Sequence, residues 1–386
     1  MTNWAAGLSF VAMAAVGTAQ SASDSRMDSP WIALMTKAAA HAKAHGAPVP
    51  LLSPVDRSVV GAAPVVPVAA LQAVGVRVVP WTTNDPERMR AVIRTGVDGL
   101  ISDRPDLLQK VLAEERLARP GDARLKNFVV SAHRGGRGLR PENTLPSFES
   151  GLDQLATELE TDTGVSTDHV SLIWHDQFYN PQSCRKADGS AYAMDGRVYL
   201  RDISAADARK MFVCDKLHFG AEQKNDLSLS PVAVAFAAKE GMGSPYAPTY
   251  IAQLFRFVQF YVDYYSTAPH RSDAHAAERA ANARTVRFNI ETKILPPPAA
   301  ASAEQGVPKE MLENHTVTPQ VFVDTLAGVI MKEHMESRCA IQSFDFRTLQ
   351  LVEERYPRIP TFYLTDNYKL FSTDFVPAEL RSAAAY

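Results

Sequence analysis

Three acidic residues stand at the ends of short apolar segments of the sequence, where their side chains could bind a metal ion. Glu160 and Asp162 are two residues apart, so both point to the same side if their segment is a strand, and Glu291 ends another such segment. Carboxylates placed together repel one another unless a cation or a proton lies between them, and oxygen ligands favour Ca²⁺ or Mg²⁺. We therefore expect one divalent cation, Ca²⁺ or Mg²⁺, at these residues. An exposed network of ion pairs would use the same residue types.

Two histidines, His133 and His175, end two further apolar segments. Imidazole titrates near neutral pH, so two histidines can act as base and acid on opposite sides of a phosphorus atom. Arg134 and Lys293 closely follow two of the segment ends and could neutralise phosphate oxygens. Trp81 ends another segment, where it could pack on a substrate or only on neighbouring side chains. These residue types favour phosphodiester chemistry, and no Gly-x-Ser-x-Gly, Walker or dinucleotide motif indicates another reaction.

The elements that would position these residues are eight short, β-branched, apolar segments, most of them separated by stretches with helical spacing. Alternating strands and helices predict a parallel sheet, and eight repeats predict a closed α/β fold, the TIM (β/α)8 barrel. Such a barrel carries its chemistry at the carboxyl ends of the strands, where these polar residues lie. The predicted strands are residues 76–82, 99–103, 128–133, 158–162, 170–176, 286–291, 340–345 and 361–365.

One stretch, from about residue 177 to residue 284, is too long for a simple connection between strands. We expect it to be an insertion over the top of the barrel. Its many aromatic residues predict the core of a small helical subdomain. Residues 296–306, which begin with three prolines, predict a surface loop.

Composition and charge exclude several classes of protein. Of the 386 residues, 46% are hydrophobic and 22% charged, enough for a large core, and the formal net charge is only -3. With no block of like charges, we expect neither nucleic-acid binding nor a stable membrane anchor. The apolar stretch Met1–Ala22 resembles a secretory leader, although no Lys or Arg precedes Arg26. We therefore expect export to the periplasm or the exterior, or a cytoplasmic location if the stretch is not a signal.

Three cysteines, Cys184, Cys214 and Cys339, cannot all pair within one chain. Cys184 and Cys214 could close one loop in an exported protein, but their spacing does not show whether they do. No cysteine lies near another cysteine or a histidine at the spacing of a zinc site, so we do not expect cysteine-bound structural zinc.

Together, several of these segments resemble the glycerophosphodiester phosphodiesterase family. The resemblance implies that the three carboxylates hold the cation, that the two histidines form the acid and base pair, and that Arg134 and Lys293 bind phosphate. Glu142 and Asn143 are secondary site residues, expected to shape their loop and start the next helix. The matching motifs are His133-Arg134-Gly135, Pro141-Glu142-Asn143-Thr144, Leu159-Glu160-Thr161-Asp162, His175-Asp176, Asn289-Ile290-Glu291-Thr292-Lys293 and Gln342-Ser343-Phe344-Asp345.

The order of the motifs departs from the family in one respect, because segments similar to its last strands come first here. They are Trp81-Thr82-Thr83-Asn84, Gly96-Val97-Asp98-Gly99 and Asp103-Arg104-Pro105-Asp106. This order implies a circularly permuted barrel, in which strands six and seven pair without a covalent link, within a monomer or in a strand-swapped dimer. The expected organisation is a leader at 1–25, family strands seven and eight at 26–117, a linker at 118–127, and family strands one to six at 128–386, with the insertion after the third.

The resemblance implies an enzyme, a metal-dependent phosphoric diester hydrolase. Its substrates would be small glycerophosphodiesters, which it would cleave to glycerol 3-phosphate and an alcohol. One alternative is a phospholipase D-like enzyme that acts on lysophospholipids or sphingolipids, and another is a non-catalytic binding protein on the same barrel. The preferred head group depends on the insertion, whose shape does not follow from the sequence.

Overall fold

The computed structural model describes residues 29–61, 64–295, 313–366, 375–377 and 380. The expected leader at Met1–Ala22 and the expected loop at residues 296–306 lie outside these ranges. The strands are β1 Leu51–Pro54, β2 Gly99–Ser102, β3 Val129–Ala132, β4 Glu158–Val165, β5 Ser171–Ile173, β6 Arg185–Lys186, β7 Phe212–Val213, β8 Arg287–Thr292, β9 Cys339–Ser343 and β10 Thr361–Thr365. The helices are α1 Pro30–Ala44, α2 Val68–Ala73, α3 Pro86–Arg94, α4 Pro105–Ala118, α5 Ala123–Lys126, α6 Leu145–Asp153, α7 Ala205–Met211, α8 Pro231–Lys239, α9 Ile251–Ser266, α10 Ala276–Thr285, α11 Pro319–Lys332 and α12 Phe346–Arg355.

Seven parallel strands follow one another around a barrel, in chain order from β2 through β3, β4, β8 and β9 to β10, after which β1 from the start of the described chain follows. Residues 76–81 fill the remaining gap as an eighth member. A parallel bridge joins Val78 of this segment to Leu52 of β1, and the Pro80 carbonyl accepts a hydrogen bond from the amide of Ile101 in β2. Because proline has no amide hydrogen, the ladder is interrupted there. The expected TIM (β/α)8 barrel is present.

The ring closes within one chain at the pairing of β1 with β10, where Leu51 lies opposite Phe362 and Pro54 opposite Thr365. No covalent connection crosses this junction, because β1 lies early in the described chain and β10 near its end. The circular permutation itself stays a prediction, and so does the oligomeric state.

The membership of the barrel differs from the expectation at two places. Residues 170–176 were expected to supply a barrel strand, but β5 pairs antiparallel with β4 and lies outside the ring. Its place is taken by β1, only four residues long, which the apolar pattern did not identify. An apolar run cannot distinguish a parallel barrel strand from the returning arm of a hairpin, because both bury their side chains. Since β4 and β8 are neighbours in the ring, the insertion begins with this hairpin.

The helices begin at strong start signals and bury apolar residues against the barrel. Proline occupies the first position of α1, α3, α4, α8 and α11, where its missing amide hydrogen costs nothing. The side chains of Asp85, Thr144 and Thr318 cap the following helices by accepting backbone hydrogen bonds. Among the helices of the described residues, none is both long and apolar enough to cross a membrane.

The insertion differs from the expectation, because the aromatic residues of α9 pack into the main core of the barrel and do not form the core of a separate helical subdomain. Phe257 and Tyr261 of α9 are buried in the main core, while Tyr179 and Phe212 belong to a second, smaller core. A disulfide joins Cys184 to Cys214, and Cys339 is free and buried in β9. The disulfide ties the start of the insertion to the segment after β7.

Candidate active site

The three carboxylates of the sequence pattern come together inside the mouth of the barrel. Glu160 and Asp162 both lie on β4, and Glu291 of β8 is in register with Asp162. All three are buried, and their side-chain oxygens lie within 4.8 Å of one another. Alternation along a strand places residues i and i+2 on one face, which explains the first pair, and the parallel pairing of β4 with β8 brings the third.

These carboxylates interact strongly because they are buried together. Burial and the neighbouring charge of Asp162 raise the pKa of Glu160, and burial raises the pKa of Glu291 to about 7 although Lys293 opposes the shift. Burial would also raise the pKa of Asp162, but Arg134 and Lys293 hold it below its usual range. Such an array needs positive charge or protons between its members.

The arrangement of polar partners fits a divalent cation. Asn143 donates to one oxygen of Asp162 at 2.9 Å, and Gln342 donates to one oxygen of Glu160 at 2.7 Å. The other oxygen of Asp162 is buried and accepts no hydrogen bond from the described residues. An all-oxygen set with one uncommitted buried oxygen suits Ca²⁺ or Mg²⁺.

His133 directly follows β3, at the position expected from the sequence. Its Nδ1 lies 2.5 Å from a carboxylate oxygen of Asp103, and its Nε2 lies 3.9 Å from Glu160. Burial and the nearby Arg137 lower the pKa of His133 to about 4. The neutral imidazole can therefore hold its proton on Nδ1 and present a lone pair on Nε2.

His175 reaches the same mouth by a different route from the one expected. It follows β5, the returning arm of the hairpin, rather than a barrel strand. The amide of Trp174 donates to the carbonyl of Asp162 at 3.1 Å, which brings the next residue back to the carboxylates. His175 Nδ1 lies 2.7 Å from Asp176, and burial together with Arg134 lowers the pKa of His175.

Arg134 and Lys293 lie beside the carboxylates rather than free in solvent. The buried Arg134 guanidinium pairs with Glu142 and lies 3.4 Å from Asp162. Lys293 Nζ lies 2.7 Å from Glu291 and 3.8 Å from Asp162. Glu142 and Asn143 thus contact the site directly, in addition to shaping their loop.

A cavity of about 260 Å³ opens between these residues. Trp81 forms part of its wall: its indole N–H donates to the Ser53 carbonyl at 3.0 Å, and its ring meets Phe344 edge to face at 5.5 Å. The lining includes Trp81, Thr82, His133, Arg134, Arg137, Glu160, His175, Glu291, Lys293, Gln342 and Phe344. A larger cavity of about 710 Å³ is lined by Val129 and Arg287, where β3 and β8 begin, which is the end of the barrel away from these residues.

Sequence reasoning missed several residues that support the site. Asp103 and Gln342 lie in segments that were quoted for the resemblance, but neither was given a role. Arg137 donates to Asp103 at 2.7 Å and packs over the ring of Phe219 from the insertion. No sequence signal indicated Ser183, whose hydroxyl donates to Glu142 at 3.1 Å.

Comparison with known proteins gave one family and several structures. A model of the glycerophosphoryl diester phosphodiesterase family matches residues 13–107 and 133–384. Comparison with curated protein sequences gave no match.

The similar solved structures are distant. A Silicibacter pomeroyi protein described as a glycerophosphoryl diester phosphodiesterase is 18% identical, with 60% of this chain and 63% of that chain covered and a TM-score of 0.39. An Oleispira antarctica phosphodiesterase in complex with the product sn-glycerol-3-phosphate is 16% identical, with 60% and 64% covered and a TM-score of 0.34. A Galdieria sulphuraria protein described as a glycerophosphodiester phosphodiesterase is 17% identical, with 65% and 67% covered and a TM-score of 0.34. The chain thus spans less than two thirds of the first two structures.

Proposed function

Because the chain belongs to the glycerophosphoryl diester phosphodiesterase family, we propose that it hydrolyses glycerophosphodiesters to glycerol 3-phosphate and an alcohol. The observation that carries the proposal is one cavity lined by two carboxylate-bound histidines, a lysine, and Glu160 and Glu291, with the buried Asp162 grouped beside these two carboxylates. The carboxylates can hold a metal ion, the histidines can act as acid and base, and the lysine can bind a phosphate oxygen. These are the parts that hydrolysis of a phosphodiester requires.

In this proposal Glu160, Asp162 and Glu291 hold one divalent cation, Ca²⁺ or Mg²⁺. A bound cation stabilises the charge that develops on phosphoryl oxygens. Lys293 and Arg134 flank the carboxylates, where their positive charges bind further phosphate oxygens. The ion pairs that they make within the chain hold these side chains in place before substrate arrives.

The two histidines move the protons. Each has its Nδ1 against a carboxylate, Asp103 or Asp176, which orients the ring and leaves Nε2 for the substrate. One neutral imidazole takes the proton of the attacking hydroxyl, here proposed as the neighbouring hydroxyl of the glycerol, as its oxygen bonds to phosphorus. The other, as imidazolium, protonates the leaving alcohol oxygen as its bond to phosphorus breaks. Water then opens the cyclic phosphate with the two roles reversed.

Trp81 is proposed to pack on the glycerol or alcohol portion. Its indole is anchored by the Ser53 carbonyl and braced by Phe344, so its face is fixed relative to the carboxylates. A rigid aromatic wall binds an aliphatic group at little entropic cost.

We also propose that the protein is exported. The Cys184–Cys214 disulfide supports this, because disulfides persist in oxidising compartments, and the apolar stretch Met1–Ala22 resembles a leader, although it lacks the usual preceding Lys or Arg.

The test is release of phosphate monoester from glycerophosphocholine and related diesters by the purified chain. It is run with EDTA, then with Ca²⁺ or Mg²⁺ restored. Turnover that EDTA abolishes and the cation restores supports both reaction and cation site. Turnover that EDTA leaves unchanged contradicts the cation site, and release only from lysophospholipids or sphingolipids contradicts the substrate class. A well-folded protein inactive on all of these substrates contradicts the proposed enzyme.

A further inference from the structure

A second group of metal-binding residue types lies on the outside of the barrel. It consists of His41 and His45 at the carboxyl end of α1 and Glu354 near the end of α12. One donor atom from each lies within 4.8 Å of the others. The two imidazole rings have centroids 4.8 Å apart, because residues i and i+4 lie on one face of a helix.

A buried carboxylate orients the first of these histidines. Glu353 Oε2 lies 2.7 Å from His41 Nδ1, and its other oxygen accepts hydrogen bonds from Thr361 at 2.8 Å and Tyr363 at 3.1 Å. With its Nδ1–H donated to Glu353, His41 presents the lone pair of Nε2, which lies 3.3 Å from Glu354. Histidines that bind metals commonly donate their second N–H to a carboxylate in this way.

The chemistry of these donors differs from that of the barrel carboxylates. Two imidazole nitrogens and one carboxylate oxygen suit Zn²⁺ and its neighbours in the first transition series, whereas the barrel offers oxygen alone. The side chains of His41 and Glu354 are 19% and 41% exposed, so metal and solvent can both reach them. Tetrahedral Zn²⁺ requires its donor atoms about 3.3 Å apart. Here the donor atoms lie within 4.8 Å of one another, so exposed side chains need to move only a little to reach that spacing.

We propose that His41, His45 and Glu354 bind Zn²⁺ at a site separate from the barrel carboxylates. The site would join α1 to α12. These helices precede β1 and β10, the two strands that close the ring without a covalent connection. Metal bound between them stabilises the folded chain, because the donors come together only when the ring is closed.

The test measures zinc binding by the full chain with Mg²⁺ present, using calorimetry and the Tm. His45→Asn removes an exposed ligand and leaves the pairing of His41 with Glu353 in place, and Glu354→Gln removes the carboxylate. His334→Asn replaces an exposed histidine elsewhere and is the control. We expect ZnCl₂ to raise the Tm of the wild type and of the control by several degrees. We expect one zinc-binding event to be lost in His45→Asn and to weaken at least about tenfold in Glu354→Gln.

Two results would overturn the proposal. One is the absence of zinc binding beyond what the barrel carboxylates account for. The other is equal zinc binding and an equal rise in Tm in the wild type, the control and the two site variants. Co²⁺ serves as a spectroscopic probe: a visible absorption band typical of tetrahedral Co²⁺ should appear in the wild type and be missing in His45→Asn. Since these residues lie outside the barrel mouth, glycerophosphodiester turnover with Mg²⁺ and without zinc should be the same in all variants, which separates this test from that of the proposed function.

Discussion

His133 Nδ1 lies 2.5 Å from the carboxylate of Asp103. The two residues follow neighbouring barrel strands, β3 and β2, so the pairing of these strands sets the orientation of the imidazole. Burial disfavours the charged form of Asp103, but His133 and Arg137 outweigh burial and lower the pKa of Asp103. The carboxylate therefore stays ionised and can accept the Nδ1 proton of the histidine.

Replacing Asp103 with Asn should lower kcat/KM on glycerophosphocholine about 100-fold, because the imidazole loses the acceptor that fixes its tautomer. Asp106→Asn is the matched control, since Asp106 pairs only with the neighbouring Arg104 in the described structure. Circular dichroism should show both variants folded. Equal activity of the two variants would mean that Asp103 has only a structural role.

Replacing His133 or His175 with Ala should reduce kcat by a factor of about 10² to 10⁴, because each change removes one of the two proposed proton-transfer groups. The matched control is His169→Asn, which changes an exposed histidine in the turn of the β4–β5 hairpin that carries His175. Phosphate monoester release measures activity, and Tm measures folding. A rate near that of the wild type in either Ala variant would contradict the assignment of that histidine.

The disulfide should support the site through Ser183, the residue before Cys184. The hydroxyl of Ser183 lies 3.1 Å from Glu142 and 2.7 Å from His218, and Glu142 pairs with Arg134. We expect Ser183→Ala to lower kcat/KM roughly fivefold, the kinetic equivalent of about one hydrogen bond.

Removing the disulfide with Cys184→Ala and Cys214→Ala should also lower kcat/KM. Adding Ser183→Ala to this variant should lower kcat/KM by a smaller factor than it does in the wild type. Both changes act on the same series of contacts, which runs through Ser183 and Glu142 to Arg134. Cys339→Ala, which removes the free cysteine, is the control. Additive effects in the combined variant would show that the disulfide and Ser183 act independently.

Glu149 should make stability depend on pH. Its buried carboxylate accepts hydrogen bonds from the amides of Val232 at 3.1 Å and Ala233 at 2.7 Å, at the start of α8. Burial and Asp153 raise its pKa to about 8, against the effect of these amides. Between its ordinary pKa of 4.5 and about 8, the folded chain therefore binds more protons than the unfolded chain.

The free energy of unfolding should consequently fall as pH rises through this interval, with at most about 1.4 kcal/mol per pH unit from this one group. In Glu149→Gln the slope should be smaller. Denaturant unfolding between pH 5 and 8, at roughly unit intervals, measures it. Glu278→Gln, at an exposed position on α10, is the control. A slope in Glu149→Gln equal to that of the wild type would show that Glu149 does not titrate in this range.

The sequence by itself determined the fold class, the family and the position of most candidate site residues. Apolar segments ending in polar residues are a local property of the chain, and a parallel barrel brings all such ends to one face. Glu160, Asp162, Glu291 and His133 could therefore be placed together without coordinates. The chemistry that these candidate residues could perform follows from their residue types, which do not depend on the fold.

Tertiary structure alone decided which segments belong to the ring and which partners hold the site residues. The apolar run before His175 could not reveal that it turns back on β4 instead of joining the barrel, because burial looks alike in both arrangements. Asp103 meets His133, and Cys184 meets Cys214, through pairings between segments about thirty residues apart. Such contacts depend on strand register and loop path, which arise from packing of the whole chain and leave no local pattern in the sequence.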